Sequence, residues 1–260
     1  MTALFFTVKS EWLKQRRSSS NWLILLGGLF LPAILLVARL SHPANLPALY
    51  ADARFWHKLW NMAWPATAHM VLPMVIMLVT SLIVQLEYRN NMWKQVHASP
   101  QSLPAIFFAK LLIILGAVLG FFAVLLIGLY AITLVPLLFF RSIGYPQGPL
   151  PLGFFAVQSL RYFVDILPMV GLQYLLSLHF KNFMIPLGIG MAQWLVVIGC
   201  LSWKYLYIFP YAYLSLDFES THELHRIAPP PVDYPILALG YFVVIIAIGL
   251  ILYTSRKDRG

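Results

Sequence analysis

Six long apolar runs separated by short polar stretches constrain this chain more than any motif in it. They cover residues 20–40, 65–86, 105–140, 152–178, 183–203 and 234–254. A helix needs about 20 predominantly apolar residues to cross the hydrocarbon core of a bilayer. Backbone buried in lipid must satisfy its own hydrogen bonds, so such runs become helices. Only 10% of the 260 residues are charged, against about 25% in an ordinary soluble domain. The expected fold is all-α: a single polytopic membrane domain over residues 1–260. The basic stretch Lys9 to Arg17 ahead of the first run imitates a secretory signal. That run is longer than a signal's apolar region and no small-residue cleavage site follows, so an uncleaved span is expected.

The third run is too long for one upright helix and too short for two helices and a turn. Charge decides between them. As one span, it leaves both termini, residues 87–104 and Lys181 on a single side. That side holds Lys9, Lys14, Arg16, Arg17, Arg89, Lys94, Lys110, Lys181, Arg256, Lys257 and Arg259 against Glu11, Glu87 and Asp258. The other side is nearly balanced, with six basic residues against five acidic ones. Basic residues accumulate in the cytoplasm. The expectation is therefore six spans with both ends cytoplasmic and a long third helix, tilted or broken near Pro136. The net charge of +9 is accounted for by orientation in the membrane, with no nucleic-acid partner implied.

Two segments are expected to lie on the membrane without crossing it. Within residues 1–19, Leu4, Phe5, Val8 and Trp12 recur near helical spacing around Lys9 and Glu11. This predicts an interfacial helix feeding the first span. Residues 205–218 are apolar and aromatic, too short to span, and interrupted by Pro210. They read as an external re-entrant hairpin, or as an aromatic belt ending the fifth span. The first external loop carries Trp56, His57, Lys58 and Trp60, either an interfacial helix or a rim that accepts a departing peptide. The single cysteine, Cys200, reads as a small buried hydrophobe.

No P-loop occurs, so the chain cannot cradle nucleotide phosphates itself. His222-Glu223-Leu224-His225 lacks the two-residue gap that would place both histidines on one helix face for zinc. No nucleophile-elbow pattern occurs. Two constellations remain. Glu87, Tyr88, Arg89, Trp93 and Lys94 follow the second span, and Pro100 and Pro104 then break the chain before Lys110. A short basic-aromatic helix there suits docking on another protein, or contact with lipid headgroups. Arg161 and Asp165 stand four apart on the fourth span and share a helix face. Charges at that depth face the bundle interior or water. The pair reads either as a self-neutralising pair that fixes helix orientation or as a polar patch in a substrate path or at a dimer seam.

Residues 87–95, Glu-Tyr-Arg-Asn-Asn-Met-Trp-Lys-Gln, with Pro100 and Lys110 following, resemble the first cytoplasmic loop of ABC-2-type transporter permeases. The branch containing lantibiotic and bacteriocin immunity permeases is the most similar, and Lys9 to Ser18 is similar to that branch's start. The resemblance implies a dimeric permease, with an identical or paralogous second chain, in a bacterial inner membrane. It implies two copies of a separate ABC ATPase holding the ATP and Mg, no cofactor in this chain, and residues 87–97 as the coupling helix. An exported amphipathic or hydrophobic substrate, a peptide antibiotic or bacteriocin, is what the branch implies. A lipid, polysaccharide or drug permease is the nearest alternative. A six-span membrane enzyme or accessory assembly protein is the alternative from another class.

Overall fold

The computed structural model describes residues 2–16, 18–89, 102–141, 143–221 and 232–255. The described residues are helical, without strands. Helix α1 (Thr2–Gln15) leads into α2 (Ser20–Ser41). A 3-10 turn and the short α3 (Leu46–Tyr50) connect to α4 (Phe55–Ala66). A π-helical turn, Thr67–Val71, joins α4 to α5 (Leu72–Arg89). Then come α6 (Leu103–Phe139), α7 (Leu152–Asp165), α8 (Leu167–His179) and α9 (Met184–Gly199). The short α10 (Tyr213–Thr221) and the long α11 (Tyr234–Thr254) complete the bundle.

Contacts between helices fix their directions. Pro32 meets Gly128 and Ile24 meets Gly120, so α2 and α6 run parallel. Tyr174 bonds to Phe107 while Phe163 meets Phe122, so α7–α8 runs against α6. Ser177 faces Ser81 and Gln85 reaches Phe180, so α5 and α8 are parallel. Phe242 packs on Gly171, and Leu175 on Gly249, so α11 is parallel to α8. Trp194 meets His69 while Gly190 meets Met77, so α9 runs against α5. Six helical passes thus alternate in direction: α2, α4–α5, α6, α7–α8, α9 and α11. The end at which α2 and α6 begin is called the near end below; the opposite end is the far end.

Four helical stretches are long and apolar enough to cross a membrane: Ser20–Ser41, Phe55–Gln85, Leu103–Phe139 and Tyr234–Thr254. The pair α7 and α8, bent by 40° at Ile166, makes a fifth if it is one broken span. Pro168, at the start of α8, has no N–H to continue the ladder of α7. Helix α9 has 16 residues, about 24 Å at 1.5 Å per residue, and ends at Gly199 where the sequence suggested Trp203. Cys200 caps it and is exposed rather than buried.

Helix α6 is continuous for 37 residues, about 55 Å, and so outreaches a hydrocarbon core of about 30 Å. It does not break near Pro136. Proline removes the bond that Ile132 carbonyl would accept within the helix. Arg39 Nη1 donates to that carbonyl at 3.0 Å, and Tyr50 hydroxyl donates to the adjacent Thr133 carbonyl at 2.8 Å. The replacement donors come from α2 and α3, so the far end of α6 is held straight by its neighbours.

The second pass begins at Phe55, ten residues before the apolar run suggested. Phe55, Trp56 and Trp60 are buried. They pack with Tyr50, Trp64, Phe155 and Tyr162 as an aromatic core. This replaces the external rim or interfacial helix read for that stretch. The charged residues masked the helical period: Trp56, Trp60 and Trp64 recur every four residues, on one face.

Candidate functional site

Among the described residues, polar clusters that carry ion pairs interrupt the apolar interior at the near end and toward the far end. At the near end, α1 turns Thr7, Glu11 and Gln15 toward the bundle, all buried, and leaves Phe5, Phe6, Trp12 and Leu13 exposed. The buried residues recur every four positions, one face of a helix. Lys110 of α6 is buried and lies 3.3 Å from Glu11. Lys14 bonds the other oxygen of the same carboxylate. Glu11 is thus the anchor of α1 rather than one of its solvated charges.

Toward the far end, the stretch between α9 and α11 folds back into the bundle. A 3-10 turn (Leu206–Ile208) precedes Tyr211 and α10, and Tyr211 through Phe218 are buried. It therefore packs inside the bundle and is not an aromatic belt. Side chains from two passes, α4–α5 and α7–α8, hold it. Arg161 of α7 donates two hydrogen bonds to Asp217, from Nε at 2.6 Å and Nη2 at 2.5 Å. This bidentate geometry is the strong form of an arginine–carboxylate contact. His69, in the π turn, lies 2.9 Å from Glu219 through Nε2 and 3.2 Å from Ser215 Oγ through Nδ1. Tyr211 hydroxyl donates to Gln173 Oε1 of α8.

Gln173 is the hub of the midsection. Its Nε2 donates to Ser81 Oγ at 2.9 Å and to Pro186 carbonyl at 3.1 Å. It therefore joins α5, α8, α9 and the re-entrant stretch. Gly190 makes this possible: a Cβ there would sit 2.6 Å from Gln173 Oε1 and 3.0 Å from Tyr211 hydroxyl. The π turn contributes differently. It interrupts the regular ladder, and its His69 carbonyl accepts a hydrogen bond from Trp194 Nε1 at 2.6 Å.

The sequence-based pairing of Arg161 with Asp165 is corrected by this arrangement. Arg161 uses its donors on Asp217, 56 positions away in the chain. Asp165 is buried, and its oxygens receive no hydrogen bond among the described residues. Four-residue spacing puts two side chains on one face but does not prevent a better-shaped acceptor from a third element from winning. Glu87, Tyr88 and Arg89 fall in the last turn of α5. Their side chains lie outside the described residues, as do Trp93 and Lys94. So do His222, Glu223 and His225. The described His, Cys, Asp and Glu side chains form no group of three that could hold a metal.

Ser215, His69 and Glu219 stand in the order hydroxyl, imidazole, carboxylate that a nucleophile, its base and an orienting acid would take, with Ser215 and Glu219 buried in the packing of the re-entrant stretch. The arrangement positions helices. The family described as ABC-2 family transporter protein matches residues 7–197. The chain belongs to this family. The match takes in most of α1, all of α2 through α8 and most of α9, together with the stretch between α5 and α6. It makes the chain a multi-pass permease of the ABC transporter class, whose members work with ABC ATPases. No curated protein and no solved structure matches the permease. Both ends of the 87–104 stretch, the close of α5 and the start of α6, lie at the near end beside α1. Sequence reasoning found that stretch but missed Glu11, Lys110, His69, Gln173 and Asp217 as structural partners. The signals available were weak: a lone acid in a basic helix, and single polar residues inside apolar runs.

Proposed function

We propose that this permease is the membrane subunit of an ATP-driven exporter in a bacterial inner membrane. It would act as one of two permease chains, identical or paralogous. Two copies of a separate ABC ATPase would hold the ATP and Mg. The near end is cytoplasmic on this reading, because the excess of basic residues collects there. Residues 87–97 are the coupling helix, with Glu87, Tyr88, Arg89, Trp93 and Lys94 facing the ATPase. The observation that carries the proposal is the junction at the near end. The last turn of α5 and the first of α6 flank residues 87–104, and α1 is tied to α6 by Glu11 and Lys110. A push on that stretch would reach a 37-residue helix that runs to the far end.

The cargo class is amphipathic or hydrophobic, and a peptide antibiotic or bacteriocin is the specific reading. It rests on the resemblance in residues 9–18 and 87–95. The test is reconstitution of the permease with its co-purified ATPase in vesicles. Glu87→Ala and Trp93→Ala should each lower cargo export and its dependence on ATP while the complex still assembles. Wild-type export and coupling in both variants would refute the coupling assignment. Failure of a peptide antibiotic to compete for export, with coupling intact, would refute the cargo class alone.

A further inference from the structure

Helices α2 and α6 touch closely over part of their length and separate over the rest. At Gly28 an added Cβ would meet Val124 Cγ1 at 2.7 Å, and at Gly128 it would meet Pro32 Cγ at 2.8 Å. Toward the near end the gap opens. A Cβ on Gly120 would find only Ile24 Cγ2, at 3.7 Å, and one on Gly116 would find nothing within 4 Å. The result is a wedge of about 270 Å³. Ile24, Ile113, Ala117 and Val124 form its apolar walls, and Trp12 and Gln15 of α1 close its end.

The wedge is polar at one end only. Gln15, Ser20 and Asn21 gather there. Ser20 Oγ donates to Gln15 Oε1 at 3.0 Å, and Asn21 Nδ2 donates to the Gln15 carbonyl at 3.3 Å. From Ile113 to Val124 the α6 wall is about 16 Å long at 1.5 Å per residue. The shape suits one extended alkyl chain attached to a polar head. A helix, about 10–12 Å across with its side chains, is too wide for it. Arg16, next to Gln15 and Asn21 at the polar end, adds the positive charge that selects the head. Lys9 and Arg16 are exposed on α1 and the turn after it. The first twenty residues carry four basic side chains against one acidic. Basic clusters at a membrane surface attract anionic lipid headgroups.

We infer that the wedge between α1, α2 and α6 binds one acyl chain of an anionic phospholipid, whose headgroup sits against Gln15, Ser20, Asn21 and Arg16. The site is separate from the coupling stretch and does not depend on the transport reading. A bound chain would fill the opening between two helices that are locked together elsewhere, and would stiffen the near end of α6.

The test is native mass spectrometry of the delipidated full-length permease with added dioleoyl phosphatidylglycerol or dioleoyl phosphatidylcholine. Wild-type protein should retain one phosphatidylglycerol at a concentration about tenfold below that needed for phosphatidylcholine. The double variant Gly116→Leu/Gly120→Leu should lose that retention. Gly188→Leu, exposed and also with open space around its Cβ, should keep it. Arg16→Gln/Lys9→Gln should abolish the preference between the two headgroups. A phosphatidylglycerol carrying a photoreactive acyl chain should crosslink wild-type protein at Ile24, Ile113 or Ala117, a readout that needs no variant to fold. Equal retention in wild type and the double variant, crosslinks spread evenly over the outer faces of the bundle, or no headgroup preference in wild type would overturn the inference.

Discussion

At the near end Lys110 meets Glu11 with both side chains almost wholly buried, 1% and 5% exposed. Toward the far end Arg161 meets Asp217 with the aspartate side chain buried and the arginine side chain 37% exposed. The first contact joins two regular helices, and Lys14 adds a second cation to the same carboxylate. The second clasps a stretch that crosses nothing, and it sits beside two further acids, Asp165 and Glu219. Buried ion pairs are poor sources of net stability, but removal of one partner strands a charge. A half-exposed arginine can turn to water or to another acceptor when its partner leaves. The near-end contact is therefore a joint buried on both sides, and the far-end contact a clasp whose arginine tolerates loss of its partner.

The largest expected effect separates these two roles. Lys110→Ala should cost about 3 kcal/mol, the low end of the range for breaking a buried pair, because Lys14 stays on the Glu11 carboxylate. The check is thermal unfolding of the purified protein in detergent, with Lys110→Met/Glu11→Leu recovering much of the loss. An unchanged midpoint for Lys110→Ala would show that α1 is not anchored through this residue. Asp217→Asn should cost less, about 1.5–3 kcal/mol for hydrogen bonds involving a charged group. It should also raise the labelling rate of a cysteine placed at Ser220, because the re-entrant stretch loosens while the bundle stays folded. If Asp217→Asn unfolds the protein as fully as Lys110→Ala does, the distinction between joint and clasp disappears.

Gly190→Ala comes next. The added methyl would press on Gln173 Oε1 and Tyr211 hydroxyl, and such overpacking costs about 1–3 kcal/mol. A double-mutant cycle with Tyr211→Phe should show the two changes to be non-additive, since both act on the Gln173 bond. The smallest effect belongs to Asp52 and Lys58, a surface pair. Lys58 and the Arg54 N–H hold the Asp52 carboxyl below its usual range. A depressed carboxyl supports folding above its unfolded pKa and loses that support as the pH falls through the folded one. Lys58→Ala should lower the unfolding midpoint slightly at neutral pH and leave it unchanged in acid where Asp52 is protonated, so that the fall in the midpoint below about pH 4 is lessened.

Much of the helical layout was legible because lipid imposes a length requirement that the sequence must show. The N-terminal helix ahead of the first apolar run and the long third helix both stand out. The aromatic start of the second pass was hidden by Asp52, Arg54 and Lys58, whose charges resemble a loop. The re-entrant stretch was legible as too short to cross, yet its three anchors were not. Arg161, Asp165, His69 and Gln173 each stand among apolar neighbours, and nothing in their spacing shows which helix will face them.

By itself the sequence determined an all-helical membrane protein of six apolar runs. Tertiary structure alone decided that Arg161 would choose Asp217, that Glu11 would be buried under Lys110, and that α6 would pass Pro136 unbroken. The reason lies in the solvent. In water, an apolar stripe on a helix marks the face that packs inward. In lipid, outward and inward faces are equally apolar, so hydropathy records how long each helix is and leaves its rotation and its neighbours to packing.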